Sequence, residues 1–119
     1  YNEIFHMPGR TTTPGGSSLN TVRAANHALK QKNGDSVAFV GCIADDEAGQ
    51  TLVDELNKVQ IHGVFAKTSE TGTGTCAVLV NGKERTLCAN IGASAKYPTQ
   101  HFLDNIVSEQ ILISLQAYF

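Results

Sequence analysis

The sequence predicts an α/β fold with a small second, antiparallel sheet, and three patterns lead to this prediction. Apolar residues recur at helical spacing in two segments, one after Gly16 and one after Asp46. A short apolar run, 36–40, lies between those segments, and a strand–helix rhythm of this kind favours a parallel sheet with helices packed on it. Further along, two β-prone runs flank Asn81-Gly82, a dipeptide typical of a two-residue hairpin.

Length and charge limit the classes of function. The 119 residues suffice for one compact domain. Nine basic and eleven acidic side chains give a net charge of −2, so the composition offers no electrostatic basis for binding nucleic acid. The sequence contains no basic amphipathic helix and no apolar run long enough to cross a bilayer, so we expect no membrane partner.

The cysteines indicate the redox environment of the protein, and the chain ends indicate how the sequence relates to a longer protein. Three cysteines at wide spacing fit neither a disulfide framework nor a zinc site, which favours a reducing, cytoplasmic setting. The chain starts at Tyr1 without a methionine and stops at Ala117-Tyr118-Phe119, an aromatic end just after a strand-like run. We interpret the chain as a piece of a longer protein.

The helices and strands are expected in a fixed order. They are a β-prone segment at 10–13, a helix at 17–31, a strand at 36–40, a helix at 47–59, strands at 64–67, 76–80 and 85–90, a helix from Thr99, and a strand at 111–115. The three strands between 64 and 90 are expected to be antiparallel and to form the second sheet. The last helix is expected to bury one apolar stripe, which consists of Phe102, Leu103, Ile106 and Val107.

The element around which the rest is organised is the glycine pair Gly15-Gly16, which leads directly into a helix. Neither glycine has a Cβ, so the backbone can approach a bound group closely. Ser17 is expected to cap the helix, and Asn20 lies three residues on, beside it at the helix start. The free N–H groups of the first turn and a side-chain amide then converge on one spot, which suits a polyol or an anion. An isolated string of this kind is more often a tight loop, and for Asn20 an ordinary first-turn role is an equal alternative.

Other motifs also allow a plain structural interpretation. Thr71–Thr75 could cradle a phosphate or act as a hinge, but an ordinary connection between strands fits better. Arg85 could clamp a phosphate, although most arginines on strands are simply solvated. Asp45 and Asp46 suit a helix N-terminus better than a metal site, because no other ligand lies nearby. The four histidines have no nucleophile or carboxylate at a readable spacing and receive no role.

Four strings are more specific together than alone. In order they are Pro14-Gly15-Gly16-Ser17-x-x-Asn20, Gly41-Cys42-Ile43-x-x-Asp46-x-x-Gly49, Thr73-Gly74-Thr75-Cys76 and Arg85-x-Leu87-x-Ala89-Asn90. This series resembles the ribokinase (PfkB-type) family of carbohydrate kinases, and the last two strings resemble most the branch that phosphorylates adenosine. The resemblance runs from about Pro14 to Phe119 and covers roughly the first half of such an enzyme, without its opening strand.

The resemblance implies a Rossmann-like ribokinase fold, here partial, in which a small antiparallel β lid closes over the sugar. It implies lid strands at about 10–13 and 62–92, and an α/β core at about 14–61 and 93–119. The implied reaction uses ATP and Mg²⁺ and moves the γ-phosphoryl group to the 5′-hydroxyl of adenosine, giving AMP. The implied full-length enzyme is cytoplasmic and monomeric, and it binds ATP and Mg²⁺ mainly through parts that are not present here.

The resemblance also implies roles for residues at the helix start. The family's glycine pair and the serine that follows correspond to Gly15, Gly16 and Ser17, which would line the ribose pocket. Its asparagine falls on Asn20, which would hold the 2′- and 3′-hydroxyls of the ribose.

A second set of implied roles lies on the lid. Side chains that pack near the nucleoside would be Cys76, Leu87, Ala89 and Ile91. Arg85 is the one catalytic residue implied within this chain, and it would reach the phosphates when the lid shuts and excludes water. No metal ligand is expected.

The sequence departs from the family pattern in several places. Ala44 and Ala48 stand where the family usually has a glycine and an aromatic residue. The family's general base is the aspartate of a Gly-Ala-Gly-Asp motif, whereas the only Gly-Ala here is Gly92-Ala93, followed by Ser94. The stretch alone is therefore expected to be inactive.

Two alternatives stay open: another kinase of the family with a different sugar or nucleoside as substrate, and a non-catalytic, truncated module that pairs through the hairpin edge.

Overall fold

A computed structural model of the chain describes residues 2–5, 7–30 and 37–109. The elements in this part of the chain are α1 (Asn2–Phe5), α2 (Ser17–Lys30), β1 (Ala38–Ile43), α3 (Glu47–Lys58), β2 (His62–Lys67), β3 (Thr75–Asn81), β4 (Glu84–Asn90), a 3₁₀ helix (Gly92–Lys96) and α4 (Thr99–Glu109). The predicted strand at 111–115 lies outside the described residues.

The first sheet is a parallel pair formed by β1 and β2. Its register runs from Ala38 opposite His62 to Ile43 opposite Lys67. Helix α3 connects the two strands. Parallel strands need such a crossover, because the chain has to return to the other end of the sheet before the second strand can run in the same direction as the first. The prediction of a parallel, helix-covered sheet is therefore confirmed. The assignment of the 64–67 strand to the antiparallel sheet is wrong, because β2 pairs with β1 and belongs to the parallel part.

The core of the parallel part is formed where α2 and α3 pack together near the sheet. Leu19, Leu56 and Ile61 are buried, and half-buried apolar residues of both helices and both strands surround them. Their spacing matches the apolar stripes that predicted the two helices. In α4, by contrast, Leu103 is 47% exposed, so its predicted place in a buried stripe is wrong within this structure.

The second sheet is the hairpin of β3 and β4. Thr75 pairs with Asn90 and Asn81 with Glu84, in antiparallel register. The two loop residues are therefore Gly82 and Lys83, one position later than the predicted Asn81-Gly82 loop. Gly82 has a φ of +62° whereas Lys83 has a negative φ, which matches a type II′ turn with glycine at its first position. The α/β class with a small antiparallel sheet is thus confirmed.

Three further expectations need correction or stand outside the structure. Residues 10–13 form no strand, because none of the strands in the described part of the chain pairs with them. The strand predicted at 36–40 is observed at Ala38–Ile43, and Ser36 lies outside the described residues. The boundaries proposed between lid and core stay a prediction, apart from the two strand assignments corrected above.

Candidate functional site

The helix start at Gly15–Asn20 is exposed, with the exception of Leu19, which is buried, and Ser18, which is half-buried. Gly16 has a φ of +96°, a conformation that favours glycine, and its carbonyl accepts a hydrogen bond from the Asn20 N–H at 3.1 Å. Gly16 therefore occupies the capping position, and Ser17 is already the first residue of α2. The prediction that Ser17 caps the helix is wrong, because the chain turns into the helix one residue earlier.

The Asn20 side chain contacts Arg23, which lies one helical turn further along α2. Arg23 Nη1 lies 3.5 Å from Asn20 Oδ1 and 3.5 Å from the Pro14 carbonyl oxygen. Its Nη2 forms an ion pair with Glu55 of α3. The spacing of three residues between Asn20 and Arg23 is the signal that could have indicated this contact.

The hairpin register places four of the predicted lid residues on one face of the sheet. Cys76 is paired with Ala89, Val78 with Leu87 and Val80 with Arg85. Side chains alternate between the two faces along each strand, so these six side chains share one face. All six are exposed, Leu87 by 60% and Val80 by 73%. Ile91, the fifth predicted lid residue, follows β4 and is 65% exposed.

Asp46 and Thr73 form a hydrogen-bond network at the base of the hairpin. The Thr73 hydroxyl donates to Asp46 Oδ1 at 2.6 Å, and its N–H donates to Asp46 Oδ2 at 2.8 Å. The same hydroxyl accepts from the Ala44 N–H at 2.9 Å. Asp46 also caps α3 by accepting from the Gly49 N–H at 2.8 Å. The network therefore links the end of β1, the start of α3 and the segment that leads into β3.

These contacts decide between the sequence interpretations of Asp46 and of Thr71–Thr75. The expected role of Asp46 at a helix N-terminus is confirmed, since both carboxylate oxygens accept from protein donors. Among the residues the structure describes, no three His, Cys, Asp or Glu side chains lie close enough to hold a metal ion. The Thr73 N–H faces a carboxylate, so it is not available to cradle a phosphate. A signal for the Asp46–Thr73 contact is missing from the sequence, because the two residues are 27 positions apart.

The network lowers the pKa of the Asp46 carboxyl. Partial burial alone would raise this pKa, but the hydrogen bonds from the Thr73 hydroxyl, the Thr73 N–H and the Gly49 N–H outweigh it. The carboxylate is thus kept in the ionised form that accepts all three hydrogen bonds.

Glycines allow the two ends of the hairpin to meet. The Ala93 N–H donates to the Gly72 carbonyl at 2.8 Å, which joins the segment before β3 to the segment after β4. Gly92 has a φ of +51°, and a Cβ on it would lie 2.4 Å from the Gly72 carbonyl oxygen. A Cβ on Gly74 would lie 2.6 Å from the Ile91 carbonyl oxygen. We call the residues 44–49, 72–74 and 91–93 the hairpin junction.

An open groove of about 620 Å³ lies beside the hairpin junction at the carboxyl ends of β1 and β2. Its lining residues are Ala44, Asp45, Asp46, Lys67, Thr68, Ser69, Thr71 and Gly72. Lys67 Nζ lies 3.6 Å from Asp45 Oδ1 across this groove. The carboxyl edge of a parallel sheet is where α/β proteins commonly bind ligands.

The structure thus places the predicted site residues in two groups. Gly15, Gly16, Ser17 and Asn20 lie at the start of α2, where Arg23, paired with Glu55, contacts Asn20. Four of the predicted lid residues lie on the hairpin, and the fifth, Ile91, lies in the hairpin junction that anchors it. Within the described part of the chain, no helix is long and apolar enough to span a bilayer.

Comparisons with known proteins agree with this architecture. Residues 1–116 match the pfkB family of carbohydrate kinases. The adenosine kinase of Schizosaccharomyces pombe is 33% identical over 96 residues, which cover 79% of this chain and 27% of the relative. The adenosine kinase of Dictyostelium discoideum is 33% identical over 110 residues, covering 89% of this chain and 32% of the relative.

Solved structures show the same similarity. Apo adenosine kinase of Trypanosoma brucei brucei superposes with a TM-score of 0.72 and 39% identity, over 85% of this chain and 31% of its own. Anopheles gambiae adenosine kinase in complex with P1,P4-di(adenosine-5) tetraphosphate superposes with a TM-score of 0.75 and 30% identity. This match covers 87% of this chain and 30% of the Anopheles chain. The chain thus spans about a third of the length of the relatives it matches. With a family match over residues 1–116 and the expected α/β architecture, the chain belongs to the pfkB family of carbohydrate kinases.

Proposed function

We propose that this chain is the N-terminal portion of an adenosine kinase, which transfers the γ-phosphoryl group of ATP to the 5′-hydroxyl of adenosine. One observation carries the proposal: Cys76, Leu87, Ala89 and Arg85 share one exposed face, in a chain 33% identical to curated adenosine kinases. Contiguous exposed apolar side chains mark a surface that is covered in use, and a flat purine suits such a face. Adenosine kinase of Schistosoma mansoni, 26% identical, has been solved in complex with adenosine.

The start of α2 is proposed to hold the ribose. The space beside the glycine pair supports this role: a Cβ on Gly16 would meet no atom within 4 Å, and one on Gly15 only the Thr13 carbonyl oxygen at 3.9 Å. A sugar can therefore approach this backbone closely. The exposed Asn20 amide offers a donor and an acceptor for the two ribose hydroxyls. Ser17 lies between the glycine pair and Asn20 and completes this wall.

The hairpin is proposed to cover the base and to bring a cation to the phosphates. Leu87, Ala89 and Cys76 would pack on the nucleoside, with Ile91 at the end of β4. Arg85 lies four residues from Ala89 toward the hairpin tip, about 13 Å along the strand. Its guanidinium would therefore reach groups that extend beyond the base, and an arginine there stabilises phosphate charge during transfer.

The transfer itself needs groups beyond these 119 residues. The adenosine 5′-oxygen bonds to the γ-phosphorus as the bond to the β–γ bridging oxygen breaks, and ADP leaves. The hydroxyl proton goes to a general base that this sequence does not contain, so we expect the stretch alone to be inactive. ATP and Mg²⁺ are proposed to bind mainly outside it, as the resemblance to the family implies.

Turnover by the full-length protein tests the proposal. The protein is incubated with ATP and either adenosine, ribose or fructose, and the phosphorylated products are separated and quantified. We expect kcat/KM for adenosine to exceed that for ribose by at least about 100-fold, because ribose leaves the apolar hairpin face uncovered. A preference for ribose or fructose would replace the proposal with that of another sugar kinase of the family.

Two variants assign the roles. Asn20→Ala should raise KM for adenosine about tenfold or more and leave KM for ATP nearly unchanged, since only the ribose loses a partner. Arg85→Ala should lower kcat about 100-fold, whereas its neighbour in the loop, Lys83→Ala, should not. Equal loss for both substrates in the first variant, or unchanged turnover in the second, would remove that residue from the site.

A non-catalytic module that pairs through its hairpin is the second candidate. One observation favours it: within the described residues, β3 and β4 form a two-stranded sheet with no third strand at either edge. Light scattering on the full-length protein distinguishes the two functions. A monomer that turns over adenosine supports the kinase, and a dimer without turnover supports the module.

A further inference from the structure

We infer that Arg23 is a positioning residue for the proposed ribose site, because its guanidinium is held by Glu55 and in turn holds Asn20 and the Pro14 carbonyl. The inference rests on the proposed function, since it concerns the same helix start. It adds a residue that the family motifs quoted above do not contain. It also assigns Glu55 of α3, far from the glycine pair in sequence, an indirect role in holding the sugar.

The geometry of the guanidinium carries the inference. Arg23 lies one helical turn after Asn20, so the two side chains are neighbours on the surface of α2. Nη2 is engaged by Glu55, and Nη1 is directed at both Asn20 Oδ1 and the Pro14 carbonyl oxygen. The Arg23 and Glu55 side chains are only 28% and 25% exposed. A half-buried ion pair is screened less than a surface pair, so it holds the guanidinium in one place.

An arginine is needed for this arrangement. Its planar fork presents five N–H donors in fixed directions, so one nitrogen can face a carboxylate while the other faces two neutral acceptors. A lysine ammonium is a single point of charge and does not span the three acceptors. Both Nη1 contacts measure 3.5 Å, the long limit of a hydrogen bond, so a shift of a few tenths of an ångström ends them.

The consequence for the proposed site is an oriented Asn20 amide. With one lone pair of Oδ1 engaged by Arg23, the amide nitrogen is left to donate to one ribose hydroxyl and the second lone pair of Oδ1 to accept from the other. The contact with Pro14 fixes the residue that precedes the glycine pair, so the backbone that the sugar approaches is held from the same side. Arg23 thus acts on the substrate through Asn20 and Pro14 and touches no reacting atom.

A second link between α2 and α3 allows the role to be separated from stability. Asn26, 5% exposed, donates from Nδ2 to the Val59 carbonyl at 2.9 Å. This link joins the same two helices but contacts neither Pro14 nor Asn20. Losing the Arg23 pair therefore leaves α2 attached to α3, and Asn26→Ala serves as a control that loosens the helices without changing the ribose contacts.

The experiment measures adenosine kinetics and melting temperature in the full-length protein. Arg23→Met should raise KM for adenosine about tenfold with KM for ATP within twofold, and Arg23→Lys should recover only part of this. The exchange Arg23→Glu with Glu55→Arg restores the ion pair but removes the donor beside Asn20, so we expect the melting temperature to recover and KM to stay raised. Lys58→Met is the charge control, since Lys58 is 74% exposed and its Nζ lies 4.0 Å from Glu55 Oε2. It should leave both quantities unchanged.

Each other outcome overturns the inference. If KM for adenosine recovers in the exchanged pair, Arg23 acts only by holding the two helices together and not by contacting Asn20. The same conclusion follows if Asn26→Ala raises KM as much as Arg23→Met does. If Arg23→Met does not fold, KM and the melting temperature of Arg23→Lys and of the exchanged pair test the inference instead. If the unsubstituted protein does not turn over adenosine, the proposed function fails separately. Hydrogen exchange of residues 14–20 then still tests Arg23, because it should accelerate in Arg23→Lys and in the exchanged pair but not in Lys58→Met.

Discussion

The hairpin junction contains buried residues, whereas the hairpin that it anchors contains none. In the junction, Thr73 and Ala93 are buried and every polar group of Thr73 named above has a partner. In the hairpin, all residues of β4 are exposed. The junction therefore determines where the hairpin leaves the core, whereas the described part of the chain provides no cover for the hairpin face.

This difference separates two tasks that the proposed lid would have to perform. The hairpin has to stay attached at a fixed place, which requires close packing and satisfied hydrogen bonds at its base. Its face has to remain available to a ligand, which requires that the same side chains are not used for packing within the protein. In this molecule the packing and the hydrogen bonds lie in the hairpin junction, and the side chains of the hairpin face stay exposed.

The largest contrast should come from two glycines with similar backbone conformations. Gly92 has a φ of +51° and Gly82 a φ of +62°, but a Cβ would meet the Gly72 carbonyl oxygen at 2.4 Å on Gly92 and nothing within 4 Å on Gly82. Both alanine variants incur the left-handed penalty, and only Gly92→Ala adds a backbone clash. We expect Gly92→Ala to lower the unfolding free energy by about 4 kcal/mol and Gly82→Ala by about 1 kcal/mol. Urea unfolding of the full-length protein measures both, and equal losses would contradict the comparison.

The next contrast concerns two threonines. Thr73→Val removes a hydroxyl that donates to Asp46 and accepts from Ala44, and it leaves the Ala44 N–H buried without a partner. This should lower the unfolding free energy by about 3 kcal/mol. Thr86→Val in the exposed β4 strand should change it by less than about 0.5 kcal/mol. The same urea titration applies, and a loss at Thr86 as large as at Thr73 would mean that the hairpin is packed as closely as its base.

A smaller effect depends on pH. Because the folded-state pKa of Asp46 is lowered, its contribution to stability is complete above the unfolded pKa of about 3.9 and is lost as pH falls through the folded pKa. Asp46 is exposed, so solvent screens the charge and reduces the effect. Asp46→Asn should therefore lower the unfolding free energy by only about 1 kcal/mol at neutral pH, and the difference from the unsubstituted protein should shrink below about pH 4.

The neighbouring carboxylate is the control for the loss of a charge. The Asp45 side chain is 98% exposed and lies 3.6 Å from Lys67, so Asp45→Asn should leave the urea midpoint nearly unchanged at neutral pH. Urea midpoints at several pH values between about 3 and 7 compare the two variants. If the difference in stability between Asp46→Asn and the unsubstituted protein does not change with pH, the lost stability does not depend on the negative charge of Asp46.

The comparison also explains which features the sequence could predict. The cap at Asp46 and the hairpin were predictable because their signals are local: an acidic cluster before an apolar helix, and a turn dipeptide between β-prone runs. The common face of Cys76, Leu87 and Ala89 then follows from alternation along paired strands. Motif resemblance selects the same residues independently of the register.

Other features could not be predicted because their partners are distant in the chain. Thr73 meets Asp46 across 27 residues, and Arg23 meets Glu55 across 32. No periodicity in the sequence encodes such contacts. The direction of β2 was also assigned wrongly, since a short apolar run reads the same in a parallel or an antiparallel sheet. The Ser17 cap was misplaced for a related reason: the positive φ at Gly16 moves the helix entrance back by one residue.

The smallest effect on stability is expected on the hairpin face. Leu87 is 60% exposed on the face shared with Arg85, and Leu79 is 42% exposed on the opposite face. Leu87→Thr and Leu79→Thr should each lower the unfolding free energy of the ligand-free protein by about 1 kcal/mol or less, because little apolar area leaves a buried environment. Only Leu87→Thr should also raise KM for adenosine several-fold, since only its face is proposed to cover the base. A large loss of stability for Leu87→Thr without a change in KM would mean that this face packs against another part of the protein, and the separation between an anchored base and an uncommitted face would then fail.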